Sequence, residues 1–361
     1  MSAPTLPPGA VLAPAPANGS PKGARSARVA VLGASGYAGQ EFVRLSLMHP
    51  GVTLAALISR EHAGRSAAEL LPGIDARAVK LPNPIMPEAL PALWAAGGFD
   101  TLVSAMPHGA FRELLAAHPQ LESDDLRVLD LSQDHRTGDR DYVYGLPEAF
   151  RSQLAGAMRV ANPGCYPTAA ALALLPAAEA GWLAGPVMVT ALSGVSGAGR
   201  KPALRTSFVE MDGGAAIYNA GESHSHVPEM ARTLARLAGS SHEVAFVPHL
   251  APMARGIVLT ATVSLSECVS PEDAHALYSQ RYAGEWFVRL LDSGEWPETR
   301  SVRSSNRCDI AVTTVHGGRT LIATAALDNL VKGAAGQALQ NLNLMLGWPE
   351  SWGLPVHGNP W

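Results

Sequence analysis

The chain has 361 residues, 47% hydrophobic and 16% charged, with a net charge of −4. That length and apolar content suit a globular protein of two units, each with its own core. The mild acidity and the lack of a basic block speak against nucleic acid or a membrane surface as a partner, and no apolar run approaches the roughly 18 residues of a membrane span. The three cysteines, Cys165, Cys268 and Cys308, are too few and too scattered for a disulfide framework or a zinc site. A reducing, cytoplasmic setting is the expectation.

Residues 1–26 are rich in Pro, Ala, Gly and Ser and lack the charged-then-apolar order of a secretory signal, so a disordered tail is expected there. Arg28 to Leu32 is a short apolar run that predicts a first strand, and Tyr37 to Met48 carries apolar residues at helical spacing. Between them lies Gly33-Ala34-Ser35-Gly36-Tyr37-Ala38-Gly39. Small residues in a strand-to-helix turn let the backbone approach a pyrophosphate, whose charge the helix start favours. Gly33, Ser35, Gly36, Tyr37 and Ala38 are therefore candidate cofactor residues. Val52 to Ser59 predicts a second strand, ending in Ser59-Arg60-Glu61. An NAD enzyme usually places an acidic residue first at that tip. Ser59 and Arg60 suit a 2′-phosphate instead, which favours NADP, although Glu61 pulls the other way.

Further strands are predicted at Phe99 to Ala105 and Leu126 to Leu131, with a helix over Phe111 to Ala117. Strands alternating with helices imply a doubly wound parallel sheet of Rossmann type over residues 27–165. The second of these strands runs into Ser132-Gln133-Asp134-His135-Arg136, which places Ser132 and Arg136 at the ligand-binding carboxyl edge.

Cys165 follows Asn162-Pro163-Gly164 and precedes an Ala/Leu-rich run that reads as a helix. Unpaired backbone N–H groups at a helix start favour a thiolate, the reactive form of cysteine. After Cys165 the texture changes. Strands are predicted at Pro186 to Leu192, Glu243 to Val247, Gly256 to Leu265, Trp286 to Leu291, Ile310 to His316 and Thr320 to Leu327. Helices at Pro228 to Ala238 and Pro271 to Ala283 would cover one face. The expectation for residues 166–328 is an α+β catalytic and dimerisation domain on a mixed or antiparallel sheet. A closing helix over residues 329–346 would complete the first domain. The Trp-rich tail, residues 347–361, would pack on something, such as a neighbouring subunit.

Two polar clusters complete the candidates. Ser193-Gly194-Val195-Ser196-Gly197-Ala198-Gly199-Arg200-Lys201 offers exposed N–H groups and cations of the kind that hold a phosphate. His224-Ser225-His226-Val227-Pro228-Glu229 precedes a helix, and a histidine beside a thiolate can be its proton partner and the later acid/base.

Taken together, these motifs resemble the N-acetyl-gamma-glutamyl-phosphate reductases from about residue 27 to about residue 346. The resemblance also rests on Pro248 to Gly256 and on Asp328-Asn329-Leu330-Val331-Lys332-Gly333-Ala334. It implies an NADPH-dependent reduction of an acyl phosphate through a thioacyl-enzyme on Cys165. His224 would be the acid/base and Glu229 its orienter. Asn329 would sit near the nicotinamide. Ser193, Gly194 and Arg200 would hold the leaving phosphate, with Arg136, His226 and Arg255 as substrate residues. It also implies a homodimer or homotetramer. His135 stands where the family pattern has Phe, and Ser225 where a basic residue is expected. A carrier-linked aminoadipyl-phosphate reductase, an aspartate-semialdehyde dehydrogenase, a non-catalytic NADP sensor and a cysteine hydrolase are the competing readings. The last leaves the glycine loop unexplained, and the sensor would need a lost nucleophile or histidine.

Overall fold

β1 (Ala27–Leu32) is buried at every position but Arg28, as a central parallel strand should be. The computed structural model describes residues 26–75, 79–138 and 141–359. The expected N-terminal tail lies outside them but for Ser26, as does Trp361. β1 feeds α1 (Tyr37–Ser46) and then β2 (Val52–Ile58). Two short helices, α2 (Ala67–Leu70) and α3 (Leu90–Ala95), lead to β3 (Thr101–Ser104), α4 (Ala110–Ala117) and β4 (Arg127–Asp130). Three elements without a sequence signal follow: β5 (Val143–Tyr144), α5 (Pro147–Leu154) and β6 (Arg159–Ala161). The strands are too short for an alternation to show.

These six strands form one parallel sheet in the order β2-β1-β3-β4-β6-β5. The order reverses between β1 and β3, the place where open α/β sheets bind ligands at the carboxyl ends of their strands.

α6 (Cys165–Glu179) begins at the cysteine and is apolar all round, with every residue from Tyr166 to Ala178 buried. A helix of that kind belongs inside a core. Pro176 lies within it and has no N–H for the carbonyl of Leu172. The hydroxyl of Tyr282 donates to that carbonyl instead, and Tyr278 donates to Ala173 O at 2.7 Å. The helix thus tolerates its proline by borrowing donors from a neighbour.

α6 packs on a second sheet, built from β7 (Leu183–Gly194), β8 (Ala216–Ile217), β9 (Val244–Ala251), β10 (Ile257–Leu265), β11 (Val288–Leu290), β12 (Cys308–Val315) and β13 (Thr320–Leu327). Their order is β11-β12-β13-β10-β7-β9-β8, with β7/β9 and β11/β12 parallel and the other pairs antiparallel. A short α7 (Phe208–Met211) precedes β8. α8 (Val227–Ala238) and α9 (Pro271–Tyr282) join α6 on one face, and α10 (Thr299–Val302) leads into β12. The other face is open, and β7 presents Met188, Thr190 and Leu192 on it.

The closing helix differs from the expected single helix. Residues Val331–Ala335 form a π-helical turn before α11 (Gly336–Met345). Gly333 N–H donates to Asp328 O and Ala335 N–H to Leu330 O, bonds that span five residues. α11 returns to the first sheet, where Ala338, Leu339 and Leu342 join Val29, Val31 and Phe42. The tail behind it packs within the chain. Trp348 stacks obliquely on His49 at 5.0 Å and on Gly51, so the aromatic tail has a partner without a second subunit.

Candidate active site

The glycine loop has the geometry of a cradle. Gly33 has φ 81°, and a Cβ on it would stand 2.6 Å from Ala105 O at the end of β3. Gly39 faces the Gly33 carbonyl so closely that no side chain fits. Gly36 caps α1 with extended backbone, φ −72° and ψ 160°. Ser35 and Ala38 share this turn, and Tyr37 opens the helix. The loop stands where the strand order reverses, so it fits a dinucleotide. Ser59 is buried and its Oγ lies 3.3 Å from His62 Nδ1. Arg60 is exposed and pairs with Glu88 at 2.5 Å. An exposed pair of that kind contributes little in water, so a phosphate can displace it.

Cys165 stands at the carboxyl end of β6, at the first position of α6. Gly164 before it is crowded: a Cβ there would lie 2.7 Å from His226 Nε2 and 2.8 Å from Arg136 Nη1. On the other side, a Cβ on Gly333 would lie 2.7 Å from Cys165 Cβ. Cys165 itself is half-buried, and this crowding works against a resting thiolate. Burial pushes the Cys165 thiol up to about 11, with Glu229 adding to the rise, while Arg136 and the backbone N–H groups act against it. Desolvation here outweighs the helix start.

Glu229 does not orient a histidine. Its carboxylate accepts from Gly164 N at 2.8 Å, from Tyr144 Oη at 2.9 Å and from Arg136 Nη1 at 3.1 Å. Arg136 is committed as well. It donates to Asn162 O at 2.7 Å and Leu131 O at 2.6 Å, and with Glu229 it forms a pair whose side chains are 7% and 4% exposed. The two residues hold the cysteine loop, and every guanidinium nitrogen of Arg136 is already engaged. Asp134 and His135 explain the rest of the Asp130 to Arg136 segment. Asp134 accepts from Gly109 N at 2.6 Å and Arg112 N at 3.0 Å, capping α4. His135 Nδ1 lies 2.8 Å from Asp130 Oδ2, and its ring stacks on Tyr142 at 4.1 Å, which is how a polar ring occupies a phenylalanine's place.

The two histidines differ. His226 N–H donates to His224 Nδ1 at 3.1 Å, so neutral His224 carries its proton on Nε2. Its ring is boxed by Tyr166, Tyr218 and Phe246 at 5.7, 5.6 and 5.0 Å. His226 Nε2 faces Gly164, and its Nδ1 has no hydrogen-bond partner among the described residues. Burial lowers the pKa of both, and Arg136 lowers that of His226 further. Both rings are therefore neutral near pH 7.

The Gly/Ser loop borders a cavity of about 510 Å³ between Tyr37, Ser196, Arg200, Lys201, Arg255 and Leu330. Arg200 Nη1 donates to Ser35 O at 2.9 Å and so spans from this loop to the glycine loop. Ser193 is buried with its Oγ on Gly194 O at 3.1 Å, and Gly194 abuts the Arg255 backbone. Asn329 Oδ1 accepts from Gly256 N at 2.7 Å and its Nδ2 donates to Ser196 Oγ at 3.0 Å. Arg255 lies 3.2 Å from Glu41 and 3.4 Å from Asp328. Two carboxylates already balance it, which makes it a brace between α1 and the end of β13 rather than a free substrate cation.

Three groups escaped the sequence reading. His108, beyond β3, accepts from Gln133 N at 3.1 Å, and its proximity adds to the lowering of the His226 pKa. Gln133 Nε2 donates to Ser225 Oγ at 2.7 Å, tying the histidine loop to the end of β4. Tyr166 and Tyr218 share a 2.9 Å hydroxyl contact. A histidine after a short strand was the only available sign for His108. The other two are pairings over long sequence separations. Among the described residues no cluster of His, Cys, Asp and Glu could hold a metal, and no helix is long and apolar enough to cross a membrane.

Comparison with known proteins adds to this geometry. The family model "Semialdehyde dehydrogenase, NAD binding domain" matches residues 28–157, and "Semialdehyde dehydrogenase, dimerisation domain" matches residues 165–329. The N-acetyl-gamma-glutamyl-phosphate reductase of Halorhodospira halophila is 43% identical over 347 residues, 90% of this chain and 97% of that protein. The enzyme of the same name from Thermus thermophilus is 41% identical over 357 residues, covering 91% of this chain and 99% of its own. Among solved structures, aspartate semialdehyde dehydrogenase II of Vibrio cholerae shares the fold with a TM-score of 0.71 at 18% identity, over 90% of this chain and 99% of that one. An aspartate semialdehyde dehydrogenase from Candida albicans, solved with NADP, gives 0.66 at 14% identity, over 89% and 98% of the two chains.

Proposed function

Because the chain belongs to the N-acetyl-gamma-glutamyl-phosphate reductase family of the semialdehyde dehydrogenases, we propose that it reduces N-acetyl-glutamyl 5-phosphate to the 5-semialdehyde with release of phosphate, in arginine biosynthesis. The observation that carries this reading is the convergence at one sheet edge. Cys165, the Arg136–Glu229 pair and His226 lie together at the end of β6, on the same edge as the glycine loop. The chain divides at Cys165 into a dinucleotide-binding and a catalytic unit, and it acts as a cytoplasmic enzyme.

The thiol must lose its proton to attack, and at about 11 it does so only when a base is at hand. His226, a neutral ring whose Nε2 lies against the Gly164 turn that precedes the cysteine, is the base this mechanism assigns to that proton. The thiolate forms a bond to the acyl carbon, the carbon–oxygen bond to phosphate breaks, and a thioester on Cys165 remains. Arg200 and the N–H groups of the Ser193 to Lys201 loop receive the phosphate. The Gly33 to Gly39 turn would hold NADP, with Ser59 and Arg60 toward its 2′-phosphate, and in its reduced form that cofactor would supply the hydride. His224, with its proton on Nε2, donates to the substrate oxygen, and collapse of the thiohemiacetal returns the thiol.

Self-association fits the open face of the second sheet, where Met188 and Leu192 are exposed. A second copy packing there makes a dimer, which light scattering on the purified chain checks. For the reaction itself, Cys165→Ala should abolish NADPH oxidation by acyl phosphate and leave NADPH binding intact. Retained turnover contradicts the assignment. Assaying N-acetyl-glutamyl phosphate beside carrier-linked aminoadipyl phosphate and aspartyl phosphate separates the substrates.

A further inference from the structure

The segment that closes on Cys165 is itself seated by a buried cation. Lys332 and Glu148 are both 0% exposed, with Lys332 Nζ 2.6 Å from Glu148 Oε1. The ammonium also donates to Gln340 Oε1 at 2.8 Å, an oxygen that accepts from Asn306 Nδ2 at 2.9 Å. Burial alone would raise the Glu148 carboxyl, but Lys332 holds it below its usual range, so the carboxylate stays ionised. Ion pairs this deep are poor stabilisers compared with apolar packing of the same volume. Their use is better sought in what they hold.

Lys332 is the second residue of the π-helical turn Val331–Ala335. Such turns are rare and cluster at functional sites. The next residue, Gly333, abuts Cys165, and a Cβ there would stand 2.7 Å from Cys165 Cβ. After it, Ala334 O accepts from Asn162 Nδ2 at 3.2 Å, which fixes the loop that delivers the cysteine. Ahead of the turn, Asn329 holds Gly256 and Ser196. One turn therefore meets both the thiol loop and the Gly/Ser loop, and one ion pair anchors that turn to α5.

We propose that Lys332 is a positioning residue for Cys165, acting through the π-helical turn that its pair with Glu148 anchors. The proposal rests on Cys165 being the nucleophile. Lys332 touches no reactant. Its loss lets the turn shift, and Gly333 and Ala334 no longer hold the thiol and its loop in place.

Lys332→Met alone would strand the Glu148 carboxylate and is expected to unfold the protein. The test therefore uses Lys332→Met/Glu148→Gln, which removes both charges together. We expect a cooperative melt, kcat down about tenfold to a hundredfold, and KM for NADPH within about twofold of wild type. The rate and pH profile of Cys165 alkylation by iodoacetamide, read by mass on its peptide, should also change. A folded double variant with wild-type kcat and alkylation profile overturns the proposal. If that variant does not fold, Gly333→Ala serves, because its added methyl presses on Cys165 from the same turn. Lowered kcat and altered alkylation support the proposal, and wild-type values for both overturn it. Failure of the nucleophile reading shows separately, as wild-type protein that keeps its turnover after Cys165 is fully alkylated.

Discussion

Two glycines cap two helices at the same edge of one sheet with nearly the same backbone. Gly36 opens α1 at φ −72°, ψ 160°, and Gly164 opens α6 at φ −70°, ψ 158°. Their surroundings differ. A Cβ on Gly36 would meet only Gly33 O, at 3.5 Å, whereas Gly164 is pressed by His226 and Arg136. The first turn keeps its side-chain space clear, as the close approach of a ligand requires. The second turn is filled by the protein's own His226 and Arg136 side chains. One local solution thus serves two chemistries, and what distinguishes them arrives from distant parts of the chain.

The largest effect that would break the comparison lies beneath Gly164. Glu229→Gln leaves the Arg136 guanidinium buried without its counter-charge and should cost about 3–5 kcal/mol of unfolding free energy, measured by denaturant melts. The same change removes a charge that raises the thiol, so the pH profile of Cys165 alkylation should move to lower pH. Arg136→Met should move it to higher pH, because Arg136 acts in the opposite sense. An unmoved profile in both variants would mean that burial alone sets the thiol.

Next in size, Gly164→Ala should lower kcat about a hundredfold through displacement of His226 and Arg136, with KM for NADPH little changed. Gly36→Ala should do the reverse, raising KM for NADPH about tenfold with kcat held, because its added methyl meets the cofactor rather than the protein. If both variants lost kcat alike, the two turns would not divide the work. Smaller still in energy, alkylation of Cys165 in the ligand-free wild type should rise about tenfold per pH unit from pH 7 toward 10. A plateau below pH 8 would show that the helix start outweighs burial after all.

The glycine loop, the cysteine turn and the histidine pair are legible in the sequence because each is a short, contiguous pattern with a backbone cause. Most strand positions and the two sheet types are legible as well, whereas the strand order is not. β5 and β6 are not legible, being too short to show a period, and α5 is interrupted by non-helical backbone at Phe150. The partners of Glu229 are a different case. Its approach to Gly164 spans 65 residues and to Tyr144 85 residues, and no local pattern encodes such a pairing. Arg255 misleads likewise: a cation in a Gly-flanked loop suggests a substrate anion, yet Glu41 and Asp328 meet it across the fold. The thiol shows the same limit in its energetics. A helix start is visible in sequence, while the burial that outweighs it is a property of the assembled core.

The central claim is that Cys165 carries the acyl group. The direct measurement is intact and peptide mass of the protein mixed with N-acetyl-glutamyl 5-phosphate in the absence of NADPH. An acyl adduct on the Cys165 peptide that disappears as aldehyde forms on adding NADPH is the predicted result. An unmodified Cys165 peptide in protein that turns over normally once NADPH is added would contradict it.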